Sequence, residues 1–320
     1  MNYMTQVACR GIGSLFFCLL LSACAATPQS DLLIEDLPGS LRKPVELTRV
    51  PFYPQKEYQC GPAALATLIS DQGHQVDLAR LTERVYIPRR KGSLQLELVS
   101  AARDFGLIPY ILSPKLEVLL HEVKAKRPVL VLQNLGVSWY PQWHYAVVVG
   151  YNLPEKELIL RSGEIERYRL NLYTFEHTWR RGKYWAMILL KPGELPVAGD
   201  AWRYMNAIVG FEQQRNWPLL VKAYLAGLQR WPENSELLMG YGNALYAQGK
   251  LEKAVIQYEK VIHNRQHFAP AYNNAAQVYA ELGQFEIANK YVRRAIELGG
   301  VHIEQYRSTL KDIRRMQNKK

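Results

Sequence analysis

The sequence predicts an α+β domain over residues 45–196, followed by an all-α solenoid over 197–320. Three observations carry this. Between Val45 and Pro196, apolar runs with helical spacing come first and strand-like runs come after them. Past Pro192, Gly193, Pro196 and Gly199 the strand signals vanish. In the distal part Gly249 and Gly283 are 34 residues apart, as are Ala254 and Ala288, and such a period marks a repeat architecture. At 320 residues the chain has room for two domains and short appendages, taking about 150 residues per domain.

Residues 1–23 read as a secretion signal. Arg10 supplies the positive charge, and Ile12 to Leu21 is an apolar run too short to span a bilayer comfortably. The run ends in Leu21-Ser22-Ala23-Cys24, which resembles the bacterial lipobox. That resemblance implies removal of the leader and acylation of Cys24. Ala25 and Ala26 follow with no Asp, which by the same resemblance implies the outer membrane, facing the periplasm. An ordinary signal peptide cut near Ala23 to Ala26 is the alternative. Residues 24–44, with Pro28, Pro38 and Gly39 among polar residues, are expected to be a tether from membrane to domain.

Within 45–196, Pro51 and Pro54 keep Val50 to Pro54 extended, and a helix opens at Cys60-Gly61-Pro62-Ala63-Ala64. Helical spacing returns over Val76 to Val85, over Leu94 to Ala102 with Gly106 as the stop, and over Pro114 to Lys126. Pro109 to Leu112 reads as extended. Strand-like runs then cover Val129 to Gln133, His144 to Tyr151, Glu157 to Arg161 and Tyr184 to Leu190, with a hairpin turn over Asn152 to Lys156.

The distal repeats align Tyr241 to Gly249 with Ala275 to Gly283. Small residues let paired helices approach, and the glycine turns the chain. This pattern resembles the tetratricopeptide repeat. A weaker upstream copy carries Tyr204, Phe211, Trp217, Tyr224 and Pro232 in phase, with Arg215 where the turn glycine would fall. Three repeats are expected, about 201–234, 235–268 and 269–302, with a C-terminal capping helix. A solenoid of this kind implies a concave face for a peptide or protein partner.

The net charge of +11 is spread along the chain. Only Arg307, Lys311, Arg314, Arg315, Lys319 and Lys320 cluster, on what reads as a solvated helix face, and no nucleic-acid-binding module accompanies them. Nucleic acid is therefore not an expected partner. His and Glu never fall at metal-ligand spacing, and no phosphate-binding glycine loop is present, so neither metal nor cofactor is expected.

Of the four cysteines, Cys9, Cys18 and Cys24 lie in the leader and anchor, which leaves Cys60 as the single thiol of the folded domains. It has two readings: a buried structural residue, or a nucleophile whose thiolate is favoured by the helix N-terminus. A cysteine hydrolase also needs a base and an oxyanion stabiliser. His144, opening the strand His144-Tyr145-Ala146-Val147-Val148-Val149-Gly150, is the best base. His74, His121, His177, His263, His267 and His302 sit in loops, polar stretches or the repeats. Gln55, five residues before Cys60, offers a side-chain amide.

Taken together, Val50 to Gln55, Cys60 to Ala63, Gly92-Ser93-Leu94 and His144 to Gly150 resemble the double-glycine, bacteriocin-processing cysteine peptidases, a family of papain-like fold. The resemblance covers about Val45 to Leu190. It implies Cys60 as nucleophile, His144 as general base and Gln55 at the oxyanion hole. The family's second strand ends in Asp-Pro, whose Asp orients the histidine. Here Ser162-Gly163 stands in its place, so Ser162, Asn152 or Glu164 is left to orient His144. Two functions follow: an envelope-anchored cysteine peptidase whose repeats recruit a protein or peptide, or a catalytically weak or inactive assembly lipoprotein that only binds.

Overall fold

The structure is a computed structural model that describes residues 27–55 and 58–319. The leader and the candidate lipidation residue Cys24 lie outside the described residues. The chain divides into two compact units. Of the described residues, those up to Ala101 join Ile111–Leu189 in the first, and Ala102–Tyr110 joins those from Leu190 onward in the second. Among the described residues no helix is long and apolar enough to cross a membrane.

The first unit is built on an antiparallel sheet. Its strands are β3 (Val129–Asn134), β4 (Trp143–Asn152), β5 (Glu157–Ser162), β6 (Ile165–Asn171) and β7 (Ala186–Leu190), in the order β7-β3-β4-β5-β6. The short β1 (Val45–Glu46) pairs with β4, while β2 (Ile108–Ile111) lies across the division between units. Every residue of β3 and β7 is buried, as is Tyr145 to Tyr151 of β4. Strands covered on both faces read as continuous apolar runs, which is why these three were legible. The covering helices include α2 (Cys60–Asp71) against β3 and β4, and α5 (Leu116–Lys124) against the same strands. α3 (Leu78–Val85) packs on α2, and α4 (Gln95–Asp104) follows it in the chain. The expected hairpin turn is present: Lys156 N–H donates to Leu153 O at 2.9 Å, and Lys156 takes a φ of 55°.

Three features of this unit differ from expectation. The segment read as a tether is docked instead. Pro28–Glu35 forms helix α1, whose Ser30 and Leu33 are buried. Helix N-termini leave N–H groups without intrahelical partners, and here Gln29 N–H and Ser30 N–H donate to the Glu176 carboxylate at 3.1 and 2.6 Å. Gln29 Oε1 in turn accepts from Leu116 N–H at the start of α5, at 2.6 Å. The second difference is β6, an exposed edge strand that carries Glu166, Arg167 and Arg169. Arg167 binds Glu46 through two bonds of 2.7 and 2.8 Å and holds that carboxyl below its usual range. Charge along an edge discourages pairing with other chains and also hides the strand from a hydrophobic-pattern reading. The third is helix α6 (Leu172–Arg181), which lies in the polar stretch around His177 and buries Phe175 and Trp179.

The second unit holds seven helices among the described residues: α7 (Ala201–Gln213), α8 (Trp217–Arg230), α9 (Ser235–Tyr246), α10 (Leu251–Asn264), α11 (Ala269–Glu281), α12 (Phe285–Leu298) and α13 (Ile303–Gln317). The first helix of each pair begins at Ala201, Ser235 and Ala269, which keeps the 34-residue period of the sequence. Glycines admit large rings between helices: a Cβ at Gly240 would come within 2.3 Å of the Tyr224 ring, and one at Gly242 within 2.5 Å of the Tyr258 ring. The turns at Gly249 and Gly283 have φ of 71° and 77°, and Arg215 is driven into the same region at 52°. α13 closes the stack by burying Tyr306 and Ile313. Ala102–Tyr110 joins this unit through contacts distant in sequence. The Arg103 guanidinium lies against Gly210, and the Tyr110 hydroxyl lies against Gly199. No local pattern announces such contacts, so the division differs from a cut at Pro196.

Candidate active site

Cys60 is the first residue of α2, with Gln59 as the N-cap. The helix is buried from Gly61 to Ile69, so it is fixed against the sheet and its first turn opens into a cleft of about 1180 Å³. Cys60, His144 and Gln55 all line this cleft. Gly61 is required for the close approach of the Ser93 segment, since a Cβ there would come within 2.7 Å of the Ser93 side chain.

Burial raises the Cys60 thiol above its ordinary range. The backbone N–H groups of Tyr145, Gly61 and Cys60 itself favour the thiolate but do not outweigh that burial. Burial likewise lowers His144, so at neutral pH the resting ring is uncharged. The N–H groups at the helix start thus favour the thiolate, as the sequence suggests, while burial acts against it. A neutral thiol stands in the same cleft as a neutral imidazole, and ionisation requires transfer of the proton between them.

The strand register explains who meets His144. Arg161 of β5 pairs with Val147 of β4. One step further along, Ser162 comes level with Ala146, whose side chain shares a face with His144 through the two-residue strand period. The Ser162 hydroxyl stands 2.8 Å from His144 Nε2. A bulge between Leu160 and Ser162 in the β5–β6 ladder sits at this point, and bulges are a common means of re-aiming a side chain beside a site. Asn152 is eight residues from His144 on the same strand, about 26 Å away at 3.3 Å per residue, and cannot reach it. Glu164 is exposed. Among the described residues Ser162 is the partner of His144, and no carboxylate forms an ion pair with the ring.

Gln55 is held by the residue next to that serine. Gln55 N–H donates to Gly163 O at 3.1 Å, and Gly163 N–H donates to Gln55 Oε1 at 3.0 Å. Because Gly163 N–H can only donate, it fixes which end of the Gln55 amide is oxygen. Nε2 then points to Tyr145 O at 3.3 Å, which uses one of its two hydrogens. Gly163 has a φ of 61°, which explains why glycine stands here.

Sequence reasoning missed two further contributors. Arg161 is buried, and its guanidinium donates to Val50 O at 3.1 and 3.4 Å and to Glu166 O at 2.6 Å. It thus ties the extended segment leading to Gln55 onto β5. Trp185 lines the cleft and packs edge-on against Tyr145, with ring centroids 6.0 Å apart. An arginine inside a strand pattern was the available signal for the first, and none existed for the second.

Residues 47–187 match the model of the Peptidase_C39 like family. Residues 242–283 and 269–298 match two tetratricopeptide repeat models. Among solved structures, the fold is similar to a putative C39-like peptidase from Bacillus anthracis at 19% identity, covering 47% of this chain and 98% of that one, with a TM-score of 0.40. It is also similar to the TPR2B domain of yeast Sti1 in complex with an Hsp70 peptide, at 18% identity, covering 36% of this chain and 96% of that one, with a TM-score of 0.35. Tetratricopeptide repeat protein 8 of Caenorhabditis elegans is 32% identical over 79 residues, which is 25% of this chain. The match spans only 16% of that protein's length. The chain thus carries an N-terminal Peptidase_C39-like α+β domain followed by tetratricopeptide repeats.

Proposed function

We propose that the first unit is a cysteine peptidase. The observation that carries this reading is the Ser162-Gly163 dipeptide, which holds the base and the amide at once: Ser162 meets His144 and Gly163 fixes Gln55. With Nε2 donating to Ser162, His144 Nδ1 is left as the acceptor for the Cys60 proton. The thiolate attacks the peptide carbonyl, and the oxyanion is met by the free Gln55 Nε2 hydrogen and the Cys60 N–H. The C–N bond breaks as the imidazolium returns its proton to the leaving amine, giving a Cys60 thioester. Water, deprotonated by the same imidazole, releases the acid and restores the thiol.

A serine brings no negative charge to the imidazolium, so the rate is expected to fall below that of a site with a carboxylate there. The neutral resting pair and that missing charge favour the second reading, a cleft that binds without cleaving. Peptide hydrolysis by wild type, Cys60→Ala and Gln55→Ala separates the two. The peptidase reading expects loss of turnover in the first variant and a decrease of about 10²-fold in the second. Turnover that survives Cys60→Ala, or is absent from wild type, removes it.

The repeats are read as the recruiting element for a protein or peptide partner. Lipidation at Cys24 would tether the chain to the outer membrane on its periplasmic side. Cys24→Ser should release the protein from membranes, and unchanged membrane fractionation contradicts the anchor.

A further inference from the structure

The cleft has a chemical bias that the catalytic residues do not use. Arg90, Lys91 and Lys183 line it and are exposed, and no carboxylate lines it among the described residues. Lys91 and Lys183 both have left-handed backbones, with φ of 47° and 57°. That conformation is costly for a residue with a Cβ, so both lysines line the cleft against a local backbone preference. Lys91 Nζ lies 5.3 Å from the centre of the Tyr58 ring, which places a cation and an aromatic together at one edge.

The neighbouring loop supplies apolar surface. Asn134 Oδ1 accepts from Gly136 N–H at 3.0 Å and Gln142 N–H at 2.9 Å, and Val137 and Tyr140 exchange backbone bonds of 3.2 Å. This closed hairpin leaves Trp139 85%, Tyr140 64% and Trp143 55% exposed, with Leu135 and Val137 also open. Exposed apolar groups crowded in this way mark a contact surface. Tyr140 and Trp143 face the cleft as well as solvent, so the apolar and cationic surfaces are continuous.

We propose that this cleft selects a peptide segment carrying an acidic side chain beside an aromatic or aliphatic one, the acid set against Arg90, Lys91 and Lys183 and the apolar group against Tyr140 and Trp143. The inference rests on the peptidase-like reading of the cleft and names the class of chain that enters it. The cations stand in a recess shared with Cys60, which an extended chain enters and a flat bilayer surface does not. The hairpin is already closed by its own hydrogen bonds, so binding requires little ordering.

The test measures binding apart from turnover. Full-length Cys60→Ala is titrated into a fluorescein-labelled peptide containing Glu and Phe, and into counterparts with Gln or Lys in place of Glu, by anisotropy. The acidic peptide is expected to bind about tenfold tighter than the Gln form, with the advantage shrinking at high salt. Lys91→Asn and Lys183→Asn, chosen because Asn tolerates a positive φ, should each weaken it by about fivefold. Equal affinity for all three peptides, a preference for the Lys form, or no saturable binding overturns the proposal. So does co-sedimentation with anionic vesicles in the absence of peptide binding. Selective binding without cleavage by wild type sustains this inference and removes the peptidase, whereas cleavage with no charge preference does the reverse.

Discussion

The Ser162 hydroxyl lies 2.8 Å from His144 Nε2, so a neutral oxygen stands where a charged one would stabilise the imidazolium. The ring is oriented but receives no charge. Ser162→Asp should therefore raise the pKa of His144 and increase the rate of Cys60 acylation by tenfold or more, while Ser162→Ala should lower it. Stopped-flow acylation by an activated ester reads both. A slower Asp variant with an unchanged fold would show that the hydroxyl is needed for more than orientation.

The pH dependence follows from burial. The Cys60 thiol lies above its usual value and His144 below its own, so the pair is neutral at pH 7 rather than an ion pair. Alkylation of Cys60 by iodoacetamide should then rise only above about pH 8.5, the ordinary thiol value. A rate plateau extending down to about pH 5 would reveal a thiolate–imidazolium pair and contradict the neutral resting state.

Glu176 anchors the helix Pro28–Glu35. Its carboxylate accepts from Gln29 N–H, Ser30 N–H and the Tyr184 hydroxyl. Glu176→Gln places an amide among donors and should cost about 2 kcal/mol. It should lower the melting temperature by several degrees and open residues 27–44 to limited proteolysis. An unchanged cleavage pattern would mean that the helix is held by its apolar contacts alone.

In the repeats, Arg215 occupies a left-handed turn that Gly249 fills in the next copy. Arg215→Gly should stabilise the unit by about 0.5–1 kcal/mol, and Gly249→Ala should destabilise it by about 1 kcal/mol. Chemical denaturation of the full chain reads both midpoints. A loss of stability in Arg215→Gly would assign the arginine side chain a contact that outweighs its backbone cost.

What was legible in the sequence was local. Cys60 was visible because prolines and a small-residue helix bracket it, and His144 because seven apolar or small residues follow it. Gly249 and Gly283 announced the repeat through spacing alone. What was not legible depends on residues far apart in the chain. Ser162 and Asn152 were indistinguishable until strand register placed one beside His144 and the other about 26 Å away. The docking of Pro28–Glu35 depends on Glu176, 146 residues beyond Ser30. β6 drew no reading because an edge strand need not be apolar, and its Glu166, Arg167 and Arg169 interrupt any apolar run.

Cooperation between Cys60 and His144 is the centre of this account, and one measurement tests it directly: the rate at which a peptidyl electrophile labels Cys60 at pH 7 in wild type and in His144→Ala. Both rates are normalised to iodoacetamide, so that thiol accessibility cancels. If His144 takes the thiol proton as the peptide carbonyl is attacked, wild type labels at least about 10²-fold faster. Equal normalised rates in the two proteins would mean that the histidine does nothing for the cysteine, and the cleft would then be a binding site alone.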